Sequence, residues 1–394
     1  MKKLVFYFLA SCTLIAIPYS CHSYNSEEWA TVKFPTCEVQ CAPQAPLSSS
    51  FYEILKHPPQ WLLDQLNDEF AYYKAYSMPT MEDILVKIRQ LKSGGKNFLL
   101  FRYKIINGQL CRKSLYGISD RYIPRIQSID AALLRLHLTV CLPDDLDFII
   151  AAKDALQPSD DVDLPIFCFG KQKGDHFAIT IPDVEMLSGY ETCLDAQIDT
   201  AIKTSPWDKK KDIAFWRGST TGGNYLNDDW RDFPRVRLVY LAKKYNCIDA
   251  KFTRCVQGAK FNRQLLSDRS IFGSFILPKD SLQYRYLIDI DGNGSAWARL
   301  YWILRSNCTP FRQTSEYTMW YHRALKPFIH FIPYSNDTLD LPEMVEWAKS
   351  HSEDCKEIAQ NSRDFVLNEL TTEHAYAYLY LVLTKYYSLL TEKN

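Results

Sequence analysis

The strongest constraint on the fold lies between Tyr284 and Arg312, in the stretch YRYLIDIDGNGSAWARLYWILRSNCTPFR. A short apolar run, Tyr286 to Ile290, stops at Asp291-Gly292-Asn293-Gly294. A helix-like segment from Ser295 to Ser306 follows, and then a second short run from Cys308 to Phe311. That order predicts a βαβ unit with a glycine loop at the carboxyl end of its first strand. Open α/β sheets bind ligands at this edge, where helix amides face phosphate groups.

The loop Asp289-Ile290-Asp291-Gly292-Asn293-Gly294 is compatible with several ligands and also with a plain glycine turn. Its first, third and fifth residues match a calcium loop, but the twelfth position, which must supply a bidentate carboxylate, is Leu300. An EF-hand is therefore excluded. Two kinds of site stay open: an Asp-x-Asp manganese site, and a phosphate cradle in which Gly292 and Gly294 permit close approach.

A second junction between strand and loop is Phe215-Trp216-Arg217-Gly218-Ser219-Thr220-Thr221-Gly222-Gly223. It lacks the Gly-Lys-Ser/Thr ending of an ATP-type loop. Polar donors at a strand end suit a diphosphate or a ribose, and two such loops in neighbouring βα units strengthen that interpretation. Arg235 and Arg299 are candidates for charge-assisted pairing with phosphate, although either one alone is more often a surface arginine.

The length and composition predict a folded protein with two domains. At 394 residues the chain is too long for one ordinary core, and 47% of its residues are hydrophobic. Strand and helix patterns alternate on both sides of the Lys-rich stretch Lys203–Lys211, which predicts two parallel-sheet α/β domains. The 46 basic residues balance the 46 acidic ones, which argues against a long-range basic field for a nucleic-acid backbone.

The first residues predict export through the secretory pathway. Lys2 and Lys3 precede an apolar run, Leu4–Ile17, that is shorter than the roughly 20 residues of a membrane-spanning helix. Residues 1–22 are therefore predicted to be a signal peptide, with an uncleaved anchor as the alternative. Depending on the organism, the destination is the periplasm, the medium or the endoplasmic-reticulum lumen. The 12 cysteines fit an oxidising compartment. Four of them lie in or beside apolar runs and are expected to be buried free thiols: Cys141, Cys168, Cys247 and Cys308.

Local patterns predict the remaining elements. Apolar spacing predicts helices between residues 51 and 92, and Asn107-Gly108 predicts a hairpin turn. A buried strand is predicted at 146–151, further strands at 164–169 and 328–332, and a long helix at 371–390. That last helix is too apolar to be solvated on all sides, and we expect it to pack across a groove between the domains.

Asp154 is the candidate general base of the first half. It closely follows the apolar run Phe148–Ala152, so its carboxylate lies near the carboxyl tip of a buried strand, where a base is useful. The alternative to a general base is a structural carboxylate that caps the next turn. The histidines lack the spacing of a nucleophilic triad or a metal site, and neither Gly-x-Ser-x-Gly nor His-Glu-x-x-His occurs.

Several blocks together resemble glycosyltransferase family 90, which contains lipopolysaccharide-modifying, capsule-associated and protein O-glucosyl- or xylosyltransferases. The blocks are FWRGSTTGG, then IDIDGNGSAWARLYWILRSN with PFRQ after it, and then LKPFIHFIPYSNDTLDLPE. They occur in the expected order within residues 142–368. The resemblance implies a GT-B architecture, in which two Rossmann-like domains face a cleft that holds the nucleotide sugar. It also implies inverting transfer from a UDP-sugar, with no metal and no other cofactor.

Carried over by position, the family's catalytic carboxylate corresponds to Asp154. Its UDP-contacting positions correspond to Ser219, Arg235, Asn293, Gly294, Ser295, Ala296, Trp297 and Arg299. The implied division is a signal peptide (1–22), an extended leader (23–50), an acceptor-side domain (51–205), a nucleotide-sugar-binding domain (206–368) and a C-terminal crossing helix (369–394). No membrane-spanning segment is expected after the leader, and no nucleic-acid partner.

Two departures from the family pattern bear on the acceptor. Lys153 stands where many members have arginine, and the block from Gly292 to Arg299 is one residue longer than in the animal protein-glucosylating members. The chain therefore looks closer to the microbial and capsule-type branch. The expected reaction moves a sugar, glucose or xylose first, from UDP to a hydroxyl of a glycan, lipopolysaccharide or protein. The alternative is a non-catalytic exported relative that binds sugars or glycans.

Overall fold

The computed structural model describes residues 28–33, 46–94, 99–116, 119–157, 160, 162–189 and 194–392. The predicted signal peptide lies outside this part of the chain, as does most of the predicted leader. The chain divides into two compact units. The first contains Met1–Phe169, Gly174–Leu194 and Thr372–Asn394, and the second contains Gly170–Lys173 and Asp195–Thr371.

Strands and helices alternate through both units. The strands are β1 (Ala30–Thr31), β2 (Leu100–Ile106), β3 (Gln109–Ser114), β4 (Asp147–Ala151), β5 (Phe167–Cys168), β6 (Lys171–Gln172), β7 (Ile179–Thr180), β8 (Lys211–Ser219), β9 (Ile248–Arg254), β10 (Tyr284–Asp289), β11 (Thr309–Gln313), β12 (Tyr317–Thr318) and β13 (Ile332–Tyr334). The helices are α1 (Ser49–Lys56), α2 (Gln60–Glu69), α3 (Ala71–Tyr76), α4 (Met81–Ser93), α5 (Ile123–Val140), α6 (Val184–Ser188), α7 (Leu194–Thr204), α8 (Pro234–Lys244), α9 (Arg263–Ser267), α10 (Pro278–Ser281), α11 (Trp297–Arg305), α12 (Leu341–Ser350), α13 (Ser352–Glu369) and α14 (Thr372–Thr391).

The sheet of the first unit is mixed, which corrects the prediction of a parallel sheet there. Its order is β1-β3-β2-β4-β5-β7, with antiparallel pairs from β1 to β4 and parallel pairs from β4 to β7. The predicted hairpin joins β2 and β3 and is confirmed. Asn107 and Gly108 have φ values of 50° and 71°, the left-handed pair that a tight hairpin turn requires. Strand β1 shows that part of the predicted leader belongs to this sheet.

Helix α14 is the predicted C-terminal helix, and it packs on α1, α2 and α6. Its buried Tyr386 meets Phe167, with 5.0 Å between the ring centroids. The Tyr376 hydroxyl donates to the Leu187 carbonyl at 3.0 Å. All of these partners belong to the first unit. They account for part of the tyrosine-rich sequence of α14, because both buried tyrosines supply apolar area and Tyr376 also has an acceptor for its hydroxyl.

The five-stranded sheet of the second unit is fully parallel, with the order β13-β11-β10-β8-β9. From β8 the chain moves to β9 on one side, and from β10 it moves to β11 on the other side. The sheet is therefore doubly wound, and its topological switch point lies between the carboxyl ends of β8 and β10. The βαβ unit predicted within 284–312 is confirmed, as is the α/β class that underlies the GT-B prediction.

Three predicted boundaries in the second unit change. The sequence predicted that the strand ends at Trp216 and that the glycine loop begins at Arg217, whereas strand β8 continues through Ser219. Helix α11 begins at Trp297, because the chain from Gly292 to Ala296 forms a loop. The strand predicted at 328–332 is wrong except for its last residue, because Phe328 has a φ of 58° and turns the chain there.

Helix α7 accounts for the start of the second unit at Asp195, whereas the sequence placed that domain from residue 206. Arg305 on α11 pairs with Asp195 at 3.2 Å and with Asp199 at 2.7 Å. Arg363 on α13 pairs with Asp199 at 2.9 Å. These partly buried ion pairs join α7 to the helices of the second unit.

Two of the predicted buried thiols are confirmed, since Cys247 and Cys308 are buried and free. Cys168 is also buried. Cys141 is exposed, contrary to the prediction, because it is the left-handed residue that ends α5, with a φ of 49°. Within the described residues, no helix combines the length and apolar character needed to cross a membrane.

A buried charge cluster offers a test of the first unit. Arg112 forms an ion pair with Asp130, and both side chains are 7% exposed. The Tyr103 hydroxyl donates to Asp130 at 2.9 Å. Burial raises the pKa of Asp130 to about 6, against the opposing effect of Arg112. Removing the carboxylate would leave Arg112 buried without this counter-charge.

We therefore expect Asp130→Ala to lower the free energy of unfolding by about 3–5 kcal/mol, the cost of removing one member of a buried ion pair. Urea unfolding at neutral pH measures this change. The control is Asp120→Ala, which removes an exposed carboxylate just before α5. A loss no larger than that of the control would show that the cluster does not stabilise the unit.

Candidate functional site

The two predicted glycine loops meet at the switch point of the parallel sheet. A Cβ placed on Gly292 would lie 2.6 Å from Thr221 Oγ1 and 2.8 Å from Arg235 Nη2. Gly222 has a φ of 96°, and a Cβ there would lie 3.0 Å from the Gly292 carbonyl oxygen. Both positions therefore require glycine, one for close approach and the other also for its backbone conformation.

Arg235 joins the carboxyl ends of β8 and β10 through hydrogen bonds to their backbone. It is buried in the first turn of α8. Its Nε donates to the Asp291 carbonyl at 2.7 Å, Nη1 to the Ser219 carbonyl at 3.0 Å and Nη2 to the Ile290 carbonyl at 3.2 Å. A guanidinium has five N–H donors, so these three bonds leave two for another acceptor.

Arg299 approaches the same place from the first turn of α11. Its Nη2 donates to the Arg217 carbonyl at 2.7 Å. The guanidinium carbons of Arg299 and Arg235 lie 5.8 Å and 5.5 Å from the centre of the Trp216 ring. Burial, followed by the charge of Arg235, lowers the pKa of Arg299 to about 10. Both arginines are cationic at neutral pH, and each disfavours the charge of the other, so an anion between them is stabilised.

The predicted segment from Asn293 to Trp297 forms the loop that leads into α11. Asn293 Oδ1 accepts from Gln257 Nε2 at 2.7 Å and from the Gly222 amide at 3.3 Å, so its side chain joins the two loops. Gly294 accepts at its carbonyl from the Gly292 amide at 2.9 Å. The Ser295 hydroxyl is buried and has no hydrogen-bond partner among the described residues. The amides at the start of α11 add the positive end of a helix dipole.

The two aspartates of the loop differ in their surroundings. Asp291 Oδ2 accepts from Ser315 Oγ at 2.5 Å, and its amide donates to Gln313 Oε1 at 2.9 Å, which is a structural role. The buried Asp289 carboxylate makes no hydrogen bond within the described part of the chain, and its Oδ1 is fully enclosed. Burial raises the pKa of Asp289 to about 7, and the charge of Arg312 opposes that rise.

Asp154 lies in the first unit, three residues beyond the end of β4. Its side chain is 45% exposed and accepts from Arg125 Nη2 at 2.8 Å. Arg125 Nη1 donates to the Ala152 carbonyl at 2.9 Å, so one arginine of α5 orients both the carboxylate and the strand end. The neighbouring Lys153 points to another partner, with Nζ 2.6 Å from Asp160 Oδ2. Nothing in the sequence around Arg125 had indicated this role.

Among the residues that the structure describes, no three His, Cys, Asp or Glu side chains are grouped so that they could hold a metal ion. The loop aspartates belong to this part of the chain. Asp291 is engaged by Ser315, and Asp289 has the Arg312 charge beside it.

The family model described as Glycosyl transferase family 90 matches residues 79–394. The chain belongs to this family. The match begins well before residue 142, where the motif blocks start, so it also includes the hairpin and several helices of the first unit.

Two relatives in the family show the extent of the similarity. Protein O-glucosyltransferase 2 of Danio rerio is 28% identical over 318 residues, which cover 76% of this chain and 57% of the relative. Protein O-glucosyltransferase 3 of Homo sapiens is 27% identical over 344 residues, which cover 81% of this chain and 64% of the relative. This chain therefore matches less than two thirds of the length of either protein.

Solved structures also show a distant likeness. The Anabaena protein HepE in complex with UDP-glucose has a TM-score of 0.36 and 7% identity, covering 68% of this chain and 69% of that one. The C-terminal domain of the group 1 glycosyl transferase LpcC from Francisella tularensis has a TM-score of 0.30 and 15% identity, covering 45% of this chain and 92% of that one. Scores this low support no comparison between individual residues.

The raised pKa of Asp289 predicts a pH-dependent stability. Its folded-state pKa of about 7 lies above the ordinary value of 3.8, so folding favours the protonated form. That contribution is full below the ordinary pKa and is lost as the pH rises through 7. The groups that act on this carboxyl are Asp291, Arg235, Arg299 and Arg312.

We expect Asp289→Asn, which keeps the shape and removes the charge, to raise the melting temperature more at about pH 8.5 than at about pH 5. Thermal unfolding of the ligand-free protein at the two pH values measures the difference. Asp280→Asn, an exposed carboxylate before β10, is the control and should shift neither value. A gain that is equal at both pH values would contradict the raised pKa.

Proposed function

We propose that this family 90 protein is a glycosyltransferase that takes its sugar from a UDP-sugar. The observation that carries the proposal is the pair of cationic guanidiniums, Arg235 and Arg299, at the switch point of a doubly wound parallel sheet. Such an edge binds nucleotides, and helix amides add further donors for phosphate. The names of the relatives, protein O-glucosyltransferases, support a sugar-transfer reaction.

In this proposal the diphosphate of UDP occupies the site formed by Arg235, Arg299 and the loop Asn293–Trp297. Charge accumulates on the diphosphate as the bond between it and the sugar breaks. Donors held in place before the reaction stabilise that charge without reorganising, which lowers the barrier. The two N–H groups that Arg235 does not use, and the larger number on Arg299, are the donors available for this role.

Asp154 is the proposed general base, in the GT-B arrangement that membership of the family implies. It removes the proton of an acceptor hydroxyl while the hydroxyl oxygen forms a bond to the anomeric carbon. The bond between that carbon and the UDP oxygen breaks on the opposite side, so the configuration inverts. The ion pair with Arg125 holds the Asp154 carboxylate in a fixed orientation for this step.

The proposed sugar is glucose, with xylose as the second choice, and the proposed acceptor is a hydroxyl of a glycan, lipopolysaccharide or protein. Glucose follows from the names of the relatives. Export through the secretory pathway completes the proposal and rests on the predicted signal peptide at 1–22. Sequencing the N-terminus of the protein recovered from its natural compartment tests whether that leader is removed.

Asp154→Asn tests the catalytic assignment. We expect the variant to fold and to bind UDP as the wild type does, whereas transfer falls by about 10²–10⁴-fold, the usual contribution of a general base. Calorimetry with UDP and release of UDP from UDP-glucose in the presence of acceptor measure the two quantities. Asp145→Asn is the matched control, since that exposed carboxylate precedes β4 instead of following it. Near-wild-type transfer by Asp154→Asn would rule out the assignment.

Metal independence is tested by chelation. If Arg235 and Arg299 carry the charge of the leaving diphosphate, activity should change less than about twofold when EDTA removes divalent ions. UDP release before and after EDTA treatment gives the answer. A complete loss that Mn²⁺ restores would contradict this expectation and would make Asp289 and Asp291 the first ligands to examine.

A further inference from the structure

Three buried polar side chains near the carboxyl edge of β10 and β11 have donor or acceptor atoms that make no hydrogen bond within the described residues. They are Asp289, Arg312 and His322. Asp289 and Arg312 are paired residues of neighbouring parallel strands, so their side chains project from the same face of the sheet. Arg312 is close enough to both of the others for its charge to affect their protonation. We refer to these three residues as the β10–β11 pocket.

Arg312 is only 9% exposed, yet it makes no hydrogen bond or ion pair within the described chain. Its guanidinium carbon lies 5.3 Å from the centroid of the Phe331 ring. A guanidinium has five N–H donors, and in Arg312 none of them is used by the described residues. These N–H groups are therefore available to a ligand.

His322 supplies a neutral donor to the same pocket. It is 7% exposed, and its Nδ1 accepts from the Met319 amide at 3.3 Å, which places the hydrogen on Nε2. Nε2 is buried and has no partner among the described residues. Burial, together with the charges of Arg312 and Lys173, lowers the pKa of His322 well below its ordinary value. The ring is therefore an uncharged N–H donor at neutral pH.

Asp289 supplies the acceptor and also locates the pocket. The residue is 5% exposed, and its carboxylate accepts no hydrogen bond from the described residues. The positive charges that act on it come from Arg312 on one side and from Arg299 and Arg235 on the other. Asp289 therefore lies between the proposed diphosphate site and the remaining two members of the pocket.

We propose that the β10–β11 pocket binds hydroxyl groups of the transferred sugar and so determines which donor the protein accepts. This inference rests on the proposed function. A sugar hydroxyl both donates and accepts, so neighbouring hydroxyls can donate to Asp289 and accept from Arg312 and His322. The sugar is attached to the diphosphate, next to which the pocket lies. A neutral sugar suits it, because a sugar carboxylate would meet the Asp289 carboxylate.

The test compares UDP with UDP-glucose on the same variants. We expect Asp289→Asn and Arg312→Gln to weaken binding of UDP-glucose by about 10-fold or more, as expected when buried donors and acceptors lose their ligand partners. Binding of UDP alone should change by less than about twofold, because UDP lacks the sugar. Calorimetry gives both dissociation constants, and Asp280→Asn is the control, since it lies before β10 and away from this edge.

Other outcomes overturn the inference separately from the proposed function. If the variants bind UDP and UDP-glucose with equally weakened affinity, the pocket contacts the nucleotide and not the sugar. If they bind both ligands as tightly as the wild type does, the pocket has no role in binding. Tighter binding of UDP-glucuronate than of UDP-glucose by the wild type would contradict a neutral sugar. A wild type that binds neither UDP nor any UDP-sugar would overturn the proposed function itself. Arg312→Gln and His322→Phe, with folding checked by circular dichroism, test the same question independently of Asp289.

Discussion

The guanidinium of Arg235 is the interaction on which the carboxyl edge of the parallel sheet depends. It donates to the carbonyls of Ser219, Ile290 and Asp291, which lie where β8 and β10 stop pairing. Buried carbonyls need a donor, and here one rigid side chain serves three of them. The arrangement requires Gly292 beside it, because any Cβ at that position would meet the guanidinium. The positions of both loops, and of the helix that follows the second one, depend on this contact.

A local excess of positive charge follows from that arrangement, although the whole chain has no net charge. Around the end of β10, Arg235, Arg299 and Arg312 outnumber the carboxylates of Asp289 and Asp291. Burial makes each unneutralised charge costly, so the edge is prepared for an anionic ligand before any ligand arrives. A diphosphate meets that requirement. The polar atoms of the β10–β11 pocket that lack hydrogen-bond partners then suit the uncharged sugar that is attached to the diphosphate.

Much of the fold followed from short patterns in the chain. The glycine loop between apolar runs predicted the βαβ unit, and Asn107-Gly108 predicted the hairpin, because both depend on conformations that few residues adopt. The mixed sheet of the first unit could not be predicted in this way, because strand direction is decided by pairing between distant segments. The interpretation of Asp289 was incomplete for the same reason. The sequence treated Asp289 and Asp291 alike, as the two carboxylates of an Asp-x-Asp pattern, whereas in the structure only Asp291 has a hydrogen-bond partner.

The sequence by itself determined the α/β class, the family and the two loops at the strand ends, since these depend on local spacing and on motif blocks. Only the tertiary structure decided that Arg235 acts on backbone carbonyls, that Arg125 orients Asp154, and that Arg312 faces Asp289. The sequence does not distinguish an arginine on the surface from an arginine in a site. The role of an arginine depends on which strands and helices bring acceptors to it and on how far water is excluded, and the neighbouring residues in the chain determine neither.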